Sequence, residues 1–223
     1  MDQQQWNAVD SYFEDVLHLN DAALQHARDR TRQAGLPAHE VAPNQGRLLQ
    51  IFAQMARARR ILEIGTLGGY STIWLARALP PGGYLLTLER DPASAQVAQR
   101  NLAAAGLAAC TEIIVGDARD TLQRLVDERA PAFDLIFLDA DKADNPQYLA
   151  GALALARDGT VIVGDNIIRG GRIARPDAAD APDVRGARRF LEALGQDLRL
   201  TATAIQTVGT KGWDGFSLAV VSR

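Results

Sequence analysis

A short apolar run that ends in a cluster of charges is the feature that most constrains the fold of this chain. The segment 135–138 is entirely apolar, and Asp139, Asp141, Lys142 and Asp144 follow it closely. A strand that is buried on both faces of a parallel sheet has such a continuous apolar sequence. Open α/β sheets bind their ligands at the carboxyl ends of the strands. The run therefore predicts a buried strand that delivers ionisable side chains to a ligand-binding edge.

A second apolar run, 161–164, ends in Asp165 and Asn166. The carboxyl ends of parallel strands meet at one edge of a sheet, so these two residues are expected to lie near Asp139. Carboxylate and amide oxygens are the ligands that a hard cation such as Mg²⁺ prefers. The sequence thus predicts a divalent-cation site at this edge.

Strand-like and helix-like segments alternate from residue 60 onward. The predicted strands are 61–65, 84–89, 112–115, 135–139 and 161–164, and helices are expected to begin after Ser71, Asp91, Asp117 and Asn145. This alternation is typical of a doubly wound, mainly parallel α/β sheet. A last helix, 184–194, precedes two strand-like runs, 198–208 and 216–221, which predict a closing antiparallel pair.

The first 58 residues predict helices that flank the sheet. Residues 3–34 have the pattern of two helices, and Val9 and Phe13 belong to the apolar stripe of the first. A third helix is expected to begin after Asn44, a good N-cap, with Met55 facing inward. With no linker or repeat in the chain, residues 1–223 are interpreted as a single domain.

The composition of the chain excludes or disfavours several classes of protein. The net charge of −3 lacks the basic excess typical of nucleic-acid-binding proteins, and the single Cys110 excludes an intramolecular disulfide framework. No membrane span or signal peptide is recognised, which predicts a cytoplasmic protein. Of the 24 lysine and arginine residues only Lys142 and Lys211 are lysine. Lys142 is therefore conspicuous, whereas Lys211, in a polar turn, is predicted to be solvated.

The turn after the first predicted strand contains Gly65, Gly68 and Gly69, which allow a ligand to approach the backbone closely. Their spacing is not the G-x-G-x-x-G of dinucleotide sites, and the nearby Glu63 would repel a pyrophosphate. Ser71 is interpreted either as the cap of the following helix or as a ligand for a carboxylate.

An acidic residue, Glu89, ends the second predicted strand. At that position it can accept hydrogen bonds from ribose hydroxyls, or it can be a solvated strand end. Asp117, after the third strand, is a candidate helix cap beside backbone amides that can meet an adenine ring.

Together these segments resemble the cation-dependent O-methyltransferases, the catechol and caffeoyl-CoA O-methyltransferase relatives that use S-adenosylmethionine. The resemblance extends from about residue 38 to the C-terminus. It rests on ordered segments at predicted strand ends: 62–71, Glu89, 116–118, 137–142 and 164–166. It implies a seven-stranded sheet of order 3-2-1-4-5-7-6, with the last strand antiparallel, and a homodimer.

The resemblance also implies a role for each matching residue. The implied cofactor residues are Val41 and Ser71 for the methionine part, Glu63, Gly65 and Thr66 for the pocket wall, Glu89 for the ribose, Ala118 for the adenine and Asp139 for the amine. Asp139, Asp165 and Asn166 would ligate Mg²⁺, or another divalent cation such as Mn²⁺ or Ca²⁺. Lys142 would be the general base.

The implied reaction moves a methyl group from S-adenosylmethionine to one hydroxyl of a small catechol-type acceptor. A phenol ionises near a pKa of ~10, so a cation that binds two neighbouring hydroxyls would produce the catecholate nucleophile at neutral pH. The nearby cation and sulfonium would favour the neutral form of Lys142, which a base requires. Arginine could not replace it, because arginine does not deprotonate in proteins.

Three alternatives are open at this point. The same cofactor site would suit methylation of a hydroxyuridine in tRNA, although the net charge of −3 disfavours nucleic acid as a partner. A nicotinamide-dependent oxidoreductase is disfavoured by the glycine spacing. A non-catalytic cofactor-binding module is disfavoured by the complete set of polar residues at the predicted edge. The roles of His39, Arg169 and Trp213 are left unassigned.

Overall fold

The computed structural model describes residues 2–222, which form eight α-helices and one seven-stranded sheet. The helices are α1 (Gln3–Val16), α2 (Ala22–Gln33), α3 (Pro43–Met55), α4 (Tyr70–Ala76), α5 (Pro92–Ala104), α6 (Ala118–Asp127), α7 (Asn145–Ala154) and α8 (Pro182–Gln196). The strands are β1 (Arg60–Ile64), β2 (Tyr84–Glu89), β3 (Thr111–Val115), β4 (Phe133–Leu138), β5 (Ala156–Gly164), β6 (Leu200–Gly209) and β7 (Gly212–Val221).

The strand order is β3-β2-β1-β4-β5-β7-β6, which confirms the predicted topology. The first five strands are parallel, and β7 runs antiparallel to both of its neighbours. The order reverses direction between β1 and β4, so the loops after these two strands diverge and leave a crevice. The crevice lies where the sequence predicts the ligand-binding edge.

Strand β4 occupies the centre of the sheet, and all six of its residues are buried. Ile136 and Leu138 pack in the core layer beneath α6, α7 and α8, whereas Leu135 and Phe137 pack beneath α3 and α4. Successive side chains of a strand point to opposite faces, so an entirely apolar strand supplies both core layers. The apolar run thus explains why this strand is central.

Several helix starts differ from the sequence-based predictions. Helix α4 begins at Tyr70 rather than after Ser71, because Gly69 adopts a left-handed φ of 78° and turns the chain into the helix. Helix α3 begins at Pro43, whose fixed φ suits a first helical position, so Asn44 is not its cap. Asn145 is likewise the first residue of α7 and not the residue before it.

The apolar stripe of α1 faces outward. Val9 and Val16 are 50% and 53% exposed, and Met55, predicted to face inward on α3, is 76% exposed. Helix α1 instead packs the buried Asp10 against α3 and β6. Within residues 2–222, none of the helices combines the length and the apolar character that crossing a membrane requires.

Candidate active site

A cavity of about 1040 Å³ lies at the carboxyl ends of the parallel strands. This volume is at the upper end of the range for small-molecule sites, roughly 300–1,000 Å³. The predicted site residues that line it are Val41, Gly65, Thr66, Ser71, Glu89, Ala118, Asp139, Lys142, Asp165 and Asn166. Glu63 is the predicted site residue that does not reach the cavity wall.

Lys142 and Asp139 line the cavity and contact each other. The Asp139 N–H donates to the Ile64 carbonyl at 2.8 Å, which continues the β1–β4 pairing to the end of the strand. A short 3₁₀ turn (Lys142–Asp144) then returns the Lys142 side chain towards the sheet. Its Nζ donates to Asp139 Oδ1 at 2.9 Å, and only 7% of its side chain is exposed. Lys142 therefore presents a buried amine to the cavity.

Asp165 and Asn166 follow β5 beside this pair. The Asp165 N–H donates to the Leu138 carbonyl at 3.0 Å, and the Asn166 N–H donates to Asp165 Oδ1 at 2.8 Å. Asn166 has a left-handed φ of 52°. Burial, and secondarily the Asp139 carboxylate, raise the pKa of Asp165 well above its usual range. Two carboxylates therefore share a confined space in which positive charge would be stabilising.

The donor set at this edge is two carboxylates and one amide. No group of three or more His, Cys, Asp or Glu side chains within residues 2–222 is arranged to hold a metal ion. A site built on Asp139, Asp165 and Asn166 relies on the amide oxygen as its third protein ligand. Magnesium suits such a set, because it keeps several waters and takes only one or two carboxylates from the protein.

Gly65 brings the first loop close to the end of β4. Its φ is +99°, and a Cβ at this position would collide with the Asp139 carbonyl. Only glycine meets both the conformational and the steric requirement. The close approach places the Gly65–Thr66 backbone beside Asp139, in one wall of the cavity.

Glu63 lies beneath the cavity and organises its wall. The carboxylate accepts hydrogen bonds from Ser71 Oγ at 2.6 Å, Thr72 Oγ1 at 2.5 Å and Thr87 Oγ1 at 2.7 Å. Burial, with a smaller contribution from the Asp139 carboxylate, raises the pKa of Glu63 to about 7 against the effect of these hydroxyl donors. Ser71 is therefore held by Glu63 and does not act as the cap of α4.

Glu89 is a fixed part of the cavity wall rather than a solvated strand end. Its Oε2 accepts from the Thr66 and Leu67 backbone N–H groups at 3.1 and 2.8 Å, and its Oε1 accepts from the Asp91 N–H at 2.9 Å. Ala118, at the start of α6, also lines this part of the cavity. The carboxylate is thus pre-oriented, with acceptor capacity left for a ligand.

The three unassigned residues have different positions. His39 and Arg169 line the cavity, and the Arg169 guanidinium is paired with Asp183 at 2.7 Å. Trp213 packs against Gly171 and donates from Nε1 to Gln206 at 3.1 Å, outside the cavity wall.

The wall of the cavity also contains two residues, Asp10 and Lys211, to which the sequence assigned no role in the site. Asp10 is buried and accepts from the Thr210 N–H at 2.7 Å. The adjacent Lys211 is exposed, as predicted, and it also donates from Nζ to the Ala38 carbonyl at 2.8 Å and lies 3.9 Å from Glu40. Because 200 residues separate Asp10 from Thr210, no local pattern reveals this contact.

The chain is similar to known methyltransferases over its whole length. The O-methyltransferase family model matches residues 15–220. A catechol O-methyltransferase of Niastella koreensis is 49% identical over 221 residues, which is 99% of this chain and 100% of that protein. These matches cover the helices that flank the sheet as well as the sheet itself.

Two solved structures show the same fold with cofactor bound. The Bacillus cereus O-methyltransferase, in complex with S-adenosylhomocysteine, is 48% identical with a TM-score of 0.96, over 99% of this chain and 100% of that one. TomG of Streptomyces achromogenes, an O-methyltransferase involved in tomaymycin synthesis and solved with S-adenosylmethionine, is 48% identical with a TM-score of 0.96 over both full chains. This chain therefore belongs to the O-methyltransferase family and is an S-adenosylmethionine-dependent O-methyltransferase.

Proposed function

We propose that the protein methylates a hydroxyl of a small catechol-type acceptor, in a reaction that requires a divalent cation such as Mg²⁺. The observation that carries the proposal is the 2.9 Å contact between the buried Lys142 and Asp139, beside the buried Asp165. An amine and two carboxylates at the topological switch point suit a reaction that removes a proton from an oxygen nucleophile. The name of the Niastella koreensis relative is consistent with this acceptor class.

The residues present fit a cation. Burial, and secondarily repulsion from Asp139, raise the pKa of Asp165, and Lys142 supplies a single compensating charge. A divalent cation held by Asp139, Asp165 and Asn166 would supply the remaining positive charge. When bound, it would hold the two hydroxyls of a catechol in place and lower their pKa.

The residues present also fit S-adenosylmethionine, which supplies the methyl group when bound. Val41 and Ser71 would hold the methionine part, Glu89 the ribose and the Ala118 backbone the adenine, in line with their positions on the cavity wall. Asp139 would meet the amine. Glu63 contributes by orienting Ser71 through its 2.6 Å hydrogen bond, and Gly65 by its close approach to Asp139.

Lys142 would act on the acceptor itself. Its Nζ reaches the cavity from the Lys142–Asp144 turn, and Asp139 accepts one of its hydrogen bonds. In its neutral form the amine takes the proton of the hydroxyl that is to be methylated, and Asp139 then stabilises the resulting ammonium.

The experiment is methylation of a panel of catechols, caffeoyl esters and bulk tRNA with labelled S-adenosylmethionine, with Mg²⁺ or with a chelator. We expect methylated catechols only when Mg²⁺ is present. In the same assay Lys142→Arg should lower kcat by at least about 10²-fold, the usual contribution of a general base, because arginine keeps its proton.

Binding of S-adenosylhomocysteine to Lys142→Arg, measured by calorimetry, is the control and should match that of the parent protein. Methylation that persists in chelator would remove the metal from the proposal. Unchanged kcat in Lys142→Arg would remove Lys142 as the base, and methylation of tRNA alone would replace catechols as acceptors.

The proposal includes a homodimer that buries the outer face of α1 and the edge of β6. Eight of the ten β6 residues are exposed, among them Ile205 and Val208, and α1 adds the exposed Tyr12 and Phe13. An unpaired edge strand beside a large apolar surface is typical of a protein–protein interface. A second copy of the chain is the occupant that we propose for it.

A further inference from the structure

Arg169 lines the cavity three residues after Asn166, and the proposed reaction gives it no task. It has a left-handed φ of 57°, and Asn166 has one of 52°. A positive φ is uncommon for residues other than glycine, and it persists where the surrounding structure holds it in place. Such backbone strain is concentrated at functional sites, so the position of Arg169 points to a role in this one.

The strained segment is fixed to the start of β7. The Ile167 N–H donates to the Gly215 carbonyl at 3.1 Å. The next two N–H groups, of Ile168 and Arg169, both donate to Asp214 Oδ1, at 2.9 and 3.1 Å. Three successive hydrogen bonds thus offset the cost of the positive φ and hold the Arg169 backbone at the cavity wall.

The Arg169 side chain is fixed as well. Its Nε and Nη2 both donate to Asp183 Oδ2, at 3.0 and 2.7 Å, and 25% of the side chain is exposed. Hydrogen bonds from Arg172 and Arg169 lower the pKa of Asp183 to about 2 against the effect of burial. This carboxylate therefore stays ionised at neutral pH and keeps Arg169 in place.

The charge of Arg169 is balanced by its neighbours. Arg169 and Arg172 share the Asp183 carboxylate, and the Asp214 carboxylate lies against the Arg169 backbone. Two cations thus face two carboxylates, which gives no preference for an anionic ligand. Any recognition by Arg169 is therefore expected to depend on the planar shape of its guanidinium.

Arginine side chains elsewhere in the chain pack over aromatic rings. The guanidinium carbon of Arg47 lies 4.7 Å from the centre of the Trp74 ring, and that of Arg60 lies 4.9 Å from the centre of the Tyr84 ring. Within residues 2–222, no aromatic ring lies over Arg169 in this way. Its hydrogen bonds to Asp183 leave from one edge of the guanidinium, so a face is available to a flat ligand.

We propose that Arg169 packs its guanidinium against the aromatic ring of the methyl acceptor and thereby selects which of the two hydroxyls meets the cofactor. This inference rests on the proposed function, because it concerns the acceptor of the same reaction. Asp165 and Asn166, which would hold the cation for the acceptor hydroxyls, line the same cavity as Arg169. A fixed plane beside the ring restricts its orientation, so one hydroxyl is presented in preference to the other.

The test measures binding and methylation of 4-methylcatechol, an uncharged acceptor whose two hydroxyls differ. We expect the parent protein to form one monomethyl ether in excess of the other. In Arg169→Ala the ratio of the two ethers should approach one. The Kd for 4-methylcatechol, measured by calorimetry with S-adenosylhomocysteine and Mg²⁺ present, should rise about fivefold, the effect of one cation–π contact.

Two further variants make the test specific. Arg169→Lys keeps the charge without the plane and should resemble Arg169→Ala. Arg175→Ala is the matched control, because Arg175 lies in the same connection between β5 and α8 and pairs with the exposed Asp177. It should keep the ether ratio and the Kd of the parent protein. Every variant should bind S-adenosylhomocysteine as the parent protein does, which also shows that it is folded.

Other results contradict the inference in separate ways. An unchanged ether ratio and Kd in Arg169→Ala, or equal amounts of both ethers from the parent protein, overturn it while leaving the proposed function intact. Parent values in Arg169→Lys would show that charge alone suffices. The same changes in Arg172→Ala, which removes the other cation from Asp183, would make the ion pairs a support for the loop only.

Two results concern the rest of the site. Weaker binding of S-adenosylhomocysteine to Arg169→Ala would assign Arg169 to the cofactor and overturn its role toward the acceptor. Absence of turnover with every catechol in the parent protein would overturn the proposed function, and this inference with it.

Discussion

Three hydroxyl groups donate hydrogen bonds to the Glu63 carboxylate in the centre of the sheet, and none of its hydrogen-bond donors within residues 2–222 is a cation. A buried carboxylate without a positive partner favours its protonated form, and burial raises the pKa of Glu63 to about 7. Among the single residues of the site, Glu63 is the one whose surroundings differ most from those of an ordinary buried side chain. The orientation of Ser71, and with it part of the cofactor wall, depends on this group.

The raised pKa makes a prediction about stability. Between pH 4.5 and about 7 the folded protein keeps a proton on Glu63 that the unfolded chain releases, so this contribution is lost as pH rises. Between about pH 5 and about pH 8, the unfolding free energy of the parent protein should therefore fall by about 1–3 kcal/mol more than that of Glu63→Gln. Urea denaturation of the cofactor-free proteins measures this difference. Asp165 is present in both proteins, so its titration does not contribute to the difference between them. If the unfolding free energy of the two proteins depended on pH in the same way, Glu63 would be ionised throughout this pH range.

At the scale of elements, α1 connects parts of the chain that are far apart in sequence. Its buried Asp10 accepts hydrogen bonds from Thr210 in the β6–β7 turn and from Asn44 in α3. The helix thereby joins the hairpin to the segment that carries Glu40 and Val41. One wall of the cavity is thus a composite of the two ends of the chain.

Asp10→Ala should loosen this wall. The substitution leaves the Thr210 N–H and the Asn44 amide without their acceptor, and we expect it to lower the unfolding free energy by about 1–3 kcal/mol. Hydrogen exchange of residues 209–212 should accelerate with it. Asp15→Ala, at an exposed position of the same helix, removes the same charge and serves as the control. Unchanged exchange in Asp10→Ala would show that the hairpin holds its position without α1.

At the scale of the whole molecule, the chain leaves a large apolar surface uncovered. Tyr12 is 64% exposed on α1, and Trp213 is 45% exposed beside the edge of the sheet. Core-forming helices of a monomer turn such side chains inward, and the outward stripe of α1 is the observation on which the proposed homodimer rests.

We expect light scattering to give twice the mass of the chain for the parent protein, and a lower mass for Tyr12→Glu at the same concentration. The introduced carboxylate would be buried at the proposed interface without a partner, which is strongly unfavourable. The control is Glu112→Gln, on strand β3 at the opposite edge of the sheet. This variant should keep the mass of the parent protein. A monomeric parent protein would contradict the proposed homodimer.

The alternation of strands and helices and the polar residues at the strand ends followed from local sequence patterns, whereas the order of the strands was implied by the family resemblance. Strand β4 is apolar because it is buried on both faces, and Asp139, Asp165 and Asn166 are polar because they emerge at the sheet edge. Such local patterns reflect burial and the period of the backbone, which each segment carries in its own sequence. The roles of the individual site residues in the reaction came from the family resemblance, and they are proposals.

The tertiary structure decided what each polar side chain contacts. It placed Glu63 beneath the cavity, turned the apolar stripe of α1 outward and brought Lys211 to the cavity wall. These outcomes depend on contacts across the chain, such as the hydrogen bond between Asp10 and Thr210, which the spacing of neighbouring residues does not encode. Burial patterns are local, whereas hydrogen-bond partners and charge balance exist only once distant segments meet.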